Sequence, residues 1–145
     1  MQLLTEVIDK ISDNSSTHEK DVTAVINKEL LEILDQMMLQ TEDIAAAMVS
    51  SIDGIAWAER LQSGFDQHRF AAMSSALLAL SDNLCQEADS GDTQNVLIEG
   101  VNGKIFIMHA GSNLVLTVFV KQGGNLGITL AYARKATKQI SSLTI

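Results

Sequence analysis

Three histidines, one cysteine, three arginines and a glycine-rich corner are the groups on which catalysis or ligation in this 145-residue chain would have to draw. A metal centre gathers nitrogen, sulfur or oxygen ligands at short, regular spacing. Here His18, His68 and His109 are scattered, and neither Cys-x-x-Cys nor His-x-x-x-His occurs. A nucleotide site needs backbone amides plus a Lys-Ser/Thr pair for phosphates and magnesium. Gly123-Gly124-Asn125-Leu126-Gly127 precedes a helical pattern but lacks that pair. It reads as a strand-to-helix corner, with anion binding at the helix N-terminus as the alternative. His109 stands at a strand end with no evident nucleophile or orienting acid beside it in the sequence, so it reads as structural. Asp66-Gln67-His68-Arg69 gathers an acid, a base and a cation, and a capping first turn accounts for all of them. No catalytic residue, metal ligand or cofactor is assigned.

Composition sets the class. Apolar residues make up 46% and charged residues 19%, ordinary for one globular domain with one sizeable core. No apolar run approaches the ~18 residues that a membrane span requires, and Met1-Gln2-Leu3-Leu4 lacks a basic, cleavable leader. A cytoplasmic protein is therefore expected. Cys85 has no intramolecular partner and reads as a small packing residue. Net charge is −8, and all 18 acidic residues lie at or before Glu99, while Lys104, Lys121, Arg134, Lys135 and Lys138 make the remainder basic. The overall sign disfavours nucleic acid as a partner. Arg134, Lys135 and Lys138 suit the end of a helix, where cations offset the macrodipole; the other reading is a docking patch for an acidic protein.

The elements follow from periodicity and turn signals. Leu4, Val7, Ile8 and Ile11 are helically spaced in a piece too short to be stable alone, followed by the polar linker 12–17. Residues 1–20 thus stand apart from the domain at 21–145. Asp21 is the expected cap of a helix over 22–39, with Val22, Ile26, Leu30, Ile33 and Met37 as its apolar stripe. Strands are expected at 44–52 (β1), 55–61 (β2), 95–99 (β3), 104–109 (β4) and 114–121 (β5). Asp53-Gly54 and Asn102-Gly103 are expected to close two-residue hairpins with positive φ.

The longest helix is expected over 67–89, capped by Asp66, with Phe70, Met73, Leu77, Leu80 and Leu84 as its core stripe. A second stripe, Ala72, Ser75 and Ala79 with Leu78 and Asp82 beside it, serves either as a solvated face or as the seat of another chain's helix. Asn125 caps a last helix over 126–143. Because 104–110 and 114–120 are apolar on both faces, they are central strands covered by helices on two sides. The more polar β2 and β3 suit the edges. With β1 beside β2, and β3, β4 and β5 adjacent, the order is 2-1-5-4-3: an α+β fold, an α-β-α sandwich around a five-stranded antiparallel sheet. Phe106, Met108 and Phe119 are expected to leave no cavity.

Three segments carry a resemblance: Met48-Val-Ser-Ser-Ile-Asp-Gly-Ile-Ala-Trp-Ala-Glu, the Arg69-Phe-Ala-Ala-Met-Ser-Ser-Ala-Leu-Leu-Ala-Leu helix, and Gly124-Asn-Leu-Gly-Ile-Thr-Leu. Together with the element order they resemble the roadblock/dynein light chain family over residues 22–143. The resemblance implies a profilin-like roadblock fold. It also implies a dimer, with itself or with a related roadblock subunit, joined through the long helix and β3. The interface residues are then Ala72, Ser75, Leu78, Ala79 and Asp82 with Asn95, Val96, Leu97, Ile98 and Glu99. The implied role is a non-catalytic regulator or scaffold of a small Ras-like GTPase, stimulating hydrolysis by ordering the GTPase's switch segments. The competing readings are a small-ligand sensory domain and a plain structural scaffold subunit.

Overall fold

Two runs of β-branched and aromatic residues form the middle of the sheet, because each is apolar at both odd and even positions and only a doubly covered strand buries both. They are β4 (Gly103–Ala110) and β5 (Leu114–Lys121). The computed structural model describes residues 16–143. Its elements, in chain order, are α1 (Ser16–Leu39), β1 (Ile44–Ser51), β2 (Ala56–Arg60), α2 (Gln67–Glu87), β3 (Val96–Gly100), β4, β5 and α3 (Leu126–Leu143). The sheet is antiparallel throughout, in the order β2-β1-β5-β4-β3. The inferred order is therefore the observed one, with β2 and β3 at the edges.

Helices α1 and α3 cover one face. Ile26, Leu30, Leu34 and Met37 of α1 and Ala133, Ala136 and Ile140 of α3 are buried in one core with Val49, Phe106, Met108, Leu116 and Val118. Burying each large side chain contributes about 1.5–3 kcal/mol, so most of the fold's hydrophobic stabilisation resides here. The other face carries α2 over a smaller core of Leu78, Ile107 and Val115, with Leu77, Val96, Ile98 and Ile105 packed around it. Asp43 ties the corner between β5 and α3. Its carbonyl accepts from Lys121 N–H at 2.9 Å and its carboxylate from Asn125 N–H at 2.9 Å.

Three local expectations are corrected. Helix α1 already begins at Ser16, so Asp21 lies inside it and caps nothing. No glycine or proline stands between Ser16 and Val22 to stop the helix from propagating upstream. The β3–β4 turn is not the positive-φ hairpin, since Gly100 pairs with Gly103 across Val101-Asn102 and neither turn residue has positive φ. Gly103 is required for a different reason: a Cβ there would stand 2.8 Å from the Val120 carbonyl oxygen. The β1–β2 link is the four residues 52–55 and not a two-residue turn, with Gly54 at φ +87° and Ser51 N–H donating to the Ile55 carbonyl at 2.8 Å.

Candidate functional site

Helix α2 meets the sheet mainly through small side chains and Leu78, and leaves several large apolar side chains outward. It starts as expected: the Asp66 side chain accepts from His68 N–H at 2.9 Å and Arg69 N–H at 3.3 Å, so the Asp66–Arg69 cluster is a cap. Its buried residues are Ala71, Ser74, Ser75 and Leu78, at the i, i+3, i+4, i+7 spacing of one face. The expected core stripe splits: Phe70 packs on Phe119 of β5 and Leu77 against the Leu78 cluster, while Met73 is 53%, Leu80 64% and Leu84 69% exposed. The reason is distance. Small side chains let α2 lie close to the sheet and to the β1–β2 loop, where a Cβ on Gly54 would come 3.2 Å from the Ala72 Cα. The Ser75 hydroxyl donates to the Ser51 carbonyl at 2.7 Å, locking that approach.

The residues expected at an interface therefore divide. Ala72 and Ala79 are exposed on α2, whereas Ser75 and Leu78 are buried against the chain's own sheet. Asp82 bonds His109 on β4, Oδ2 to Nε2 at 2.9 Å. Asn95 stands just before β3, whose Val96 and Ile98 turn toward the α2 side while Leu97 and Glu99 are exposed. Sequence reasoning missed Met73, Leu80 and Leu84 as surface residues. Periodicity alone does not separate the face of Ala71, Ser74, Ser75 and Leu78 from the other stripes of α2, since each repeats at the helical spacing.

The acid that the sequence did not place beside His109 is Asp82, 27 residues upstream. The pair borders a cleft of about 250 Å³ also lined by Ile52, Asp53, Ser112 and Val115. No hydrogen bond joins His109 to the Ser112 hydroxyl, so the pair lacks a bonded nucleophile and acts as a clamp between α2 and β4. No three His, Cys, Asp or Glu residues converge on a metal position among the described residues. None of the described helices is long and apolar enough to cross a membrane.

Of the three arginines, Arg60 is engaged by Asp35, Nε to Oδ1 at 2.8 Å, while Arg69 and Arg134 are exposed on helices. Arg134, Lys135 and Lys138 lie too far from Leu143 to fall in the last turn of α3, so they are not macrodipole caps. The Gly123-Gly124 corner is occupied by the chain itself, with Asp43 on the Asn125 amide and the Asn125 side chain on Ile128 N–H at 2.9 Å.

Phe106 and Met108 fill the α1/α3 side as expected, but Phe119 does not close the other. It borders a groove of about 460 Å³ together with Phe65, Ile105, Val101, Lys104 and Lys121. Phe70 of α2 packs edge-on against Phe119, with ring centroids 5.4 Å apart, and so marks the groove as lying on the α2 face.

Comparison with known proteins adds the following. The profile of the family described as Roadblock/LC7 domain matches residues 30–119. The uncharacterized protein MJ1340 of Methanocaldococcus jannaschii is 28% identical over 114 residues, covering 77% of this chain and 99% of that protein. Among solved structures, Myxococcus xanthus MglB superposes with a TM-score of 0.74 at 16% identity, over 80% of this chain and 87% of MglB. Profilin IA of Acanthamoeba castellanii superposes with a TM-score of 0.58 at 12% identity, over 79% and 98% of the two chains. At these identities the two structures speak for the fold, which is the profilin-like sandwich.

Proposed function

Because the chain belongs to the Roadblock/LC7 domain family, we propose that it is a cytoplasmic, dimeric, non-catalytic regulator or scaffold that binds a small Ras-like GTPase. Members of that family are regulatory and adaptor proteins. The observations that carry the dimer are the outward apolar stripe Met73, Leu80 and Leu84 on α2 and the free edge of β3, whose Val96 and Ile98 pack against the cluster that α2 covers. A free strand edge offers unpaired amides and carbonyls, and an exposed apolar helix face gains stability when a second copy covers it. A two-fold axis beside β3 supplies both contacts at once, making a ten-stranded sheet with two α2 helices above it. The partner is this chain or a related roadblock subunit. Residues 95–99 pair across the axis, and Ala72, Ala79 and the apolar stripe meet between helices.

Regulation then works by differential affinity. The dimer binds one nucleotide state of the GTPase more tightly and holds its switch segments in a hydrolysis-competent arrangement, without donating a side chain to the reaction. Two measurements test this. Ile98→Pro and Ala79→Arg should each shift the sedimenting mass toward the monomer at micromolar concentration; retention of the parent mass in both removes the interface. Titration with small GTPases from the same cell, in both nucleotide states, should give state-dependent binding to at least one. State-independent binding to all of them would leave only the scaffold role.

A further inference from the structure

We propose that α2 is a separately opening layer: it leaves the sheet as one unit while α1, α3 and the five strands stay folded. The inference concerns the single chain and stands whether or not the dimer proposed above forms.

The two faces of the sheet are held unequally. On one side, Ile26, Leu30, Leu34 and Met37 of α1 and Ile140 of α3 close a continuous core with Phe106, Met108, Leu116 and Val118. On the other, the buried cluster is Leu78, Ile107 and Val115. Among the large apolar side chains of α2, Leu78 is buried, Phe70 and Leu77 are half-buried, and Met73, Leu80 and Leu84 face outward. Hydrophobic stabilisation scales with the area removed from water, so α2 is held by the smaller share.

Polar groups loosen the same seam. Ser50 stands across the ladder from Val115 and Thr117 from Ile107, which puts both hydroxyls on the face that α2 covers. Ser50 is 0% and Thr117 1% exposed, and neither hydroxyl bonds another group of the chain. Such a hydroxyl penalises the closed state and is relieved by water on opening. Thr93, in the segment that leaves α2, carries a third. The buried Thr129 of α3, by contrast, donates to the Asn125 carbonyl at 2.9 Å. α2 is fastened by the Ser75 bond to the Ser51 carbonyl and by the Asp82–His109 pair, whose side chains are more than a third exposed.

The ends of the helix permit the motion. Residues 62–66 before it and 88–92 after it are exposed. They contain Gly64 at φ +89° and Gly91 at φ +81°, each with open space where a Cβ would stand, and so offer hinge positions on both sides. Off the sheet, a helix of 21 residues is marginal in water, and its amides lose their protection.

Native-state hydrogen exchange on the full-length chain tests this, in the regime where exchange follows the opening equilibrium. The lowest workable protein concentration removes any contribution from a second copy. Amides of α2 should exchange about 10²-fold faster than those of β1 and β5, with a shallower dependence on urea because less surface is exposed. Thr117→Val keeps the side-chain shape without the unbonded hydroxyl and should slow α2 exchange about tenfold. Ile26→Val, in the opposite core, should speed exchange in β1 and β5 about fivefold and leave α2 unchanged. Equal protection and equal urea dependence in α2 and β5, or the same response of both to Ile26→Val, overturns the separate opening. Fast α2 exchange that Thr117→Val does not slow overturns the part assigned to the buried hydroxyls.

Discussion

The Asp35 carboxylate accepts from the Arg60 guanidinium at two points, Nε to Oδ1 at 2.8 Å and Nη2 to Oδ2 at 3.2 Å, tying the C-terminal part of α1 to the last residue of the edge strand β2. An arginine held flat against its own fold is poorly placed to reach into another protein's active site. Arg69 and Arg134 sit on helices and not on protruding loops. Arg60→Ala, Arg69→Ala and Arg134→Ala should therefore each retain GTPase stimulation, well short of the ~10³-fold loss that removing an arginine finger causes. Single-turnover hydrolysis with each variant checks this, and a loss of that size at any one of them assigns it as a finger.

The same ion pair predicts a small dependence on pH. The hydrogen bond from Arg60 holds the Asp35 carboxyl below the usual aspartate range, and its charge adds to this. A group with a depressed folded pKa contributes stability that is fully present above its unfolded pKa and is lost as pH falls through the folded value. Both side chains are nearly half exposed, so solvent screening keeps the contribution under about 1 kcal/mol. Urea unfolding of the parent and Asp35→Asn should differ by that much at neutral pH and converge in acid. A gap that widens in acid would contradict the assignment.

The two faces of α2 should answer differently to truncation. Leu78 is 1% exposed against Ile107 and Val115, so Leu78→Ala should cost about 2–5 kcal/mol of stability. Leu80→Ser and Leu84→Ser remove side chains that face outward within the chain. Unfolding at the lowest workable protein concentration should find them within about 0.5 kcal/mol of the parent. At higher concentration, where the stripe is covered in the proposed dimer, both should unfold earlier than the parent.

Gly103→Ala should destabilise by about 1–3 kcal/mol, because the added methyl meets a carbonyl oxygen of a central strand and not a side chain that can swing away. Thermal melting checks it. Gly64→Ala is the contrast, since a Cβ there meets nothing within 4 Å and only its positive φ resists substitution.

Removing the first nineteen residues should leave a chain that still melts cooperatively. The core contribution of α1 begins with Val22 and Ile26. The helically spaced Leu4, Val7, Ile8 and Ile11 lie outside the described residues, so the truncation alone decides whether they belong to the core. Loss of a cooperative transition would place them in it.

The sequence by itself determined the elements and their order in the sheet. Alternating or doubly apolar runs have only one sheet position that buries them, and hairpin connections then leave β1 beside β5 as the remaining choice. Local chemistry also placed the Asp66 and Asn125 caps, because a cap is an interaction between residues two or three positions apart.

Only the tertiary structure decided which face of α2 is inward. Both of its stripes repeat at the helical period, and periodicity records that a face exists without saying what lies against it. The face of Ala71, Ser74, Ser75 and Leu78 turns in because Gly54, Ser51 and the sheet approach too closely for Met73, Leu80 or Leu84 to fit between, while Ala72 and Ala79 of the small-residue stripe stay exposed. The Asp82–His109 and Asp35–Arg60 pairs, formed across 27 and 25 residues, were equally invisible along the chain. Distances of that kind are set by how layers stack, and stacking is a property of the folded volume and not of any window of sequence.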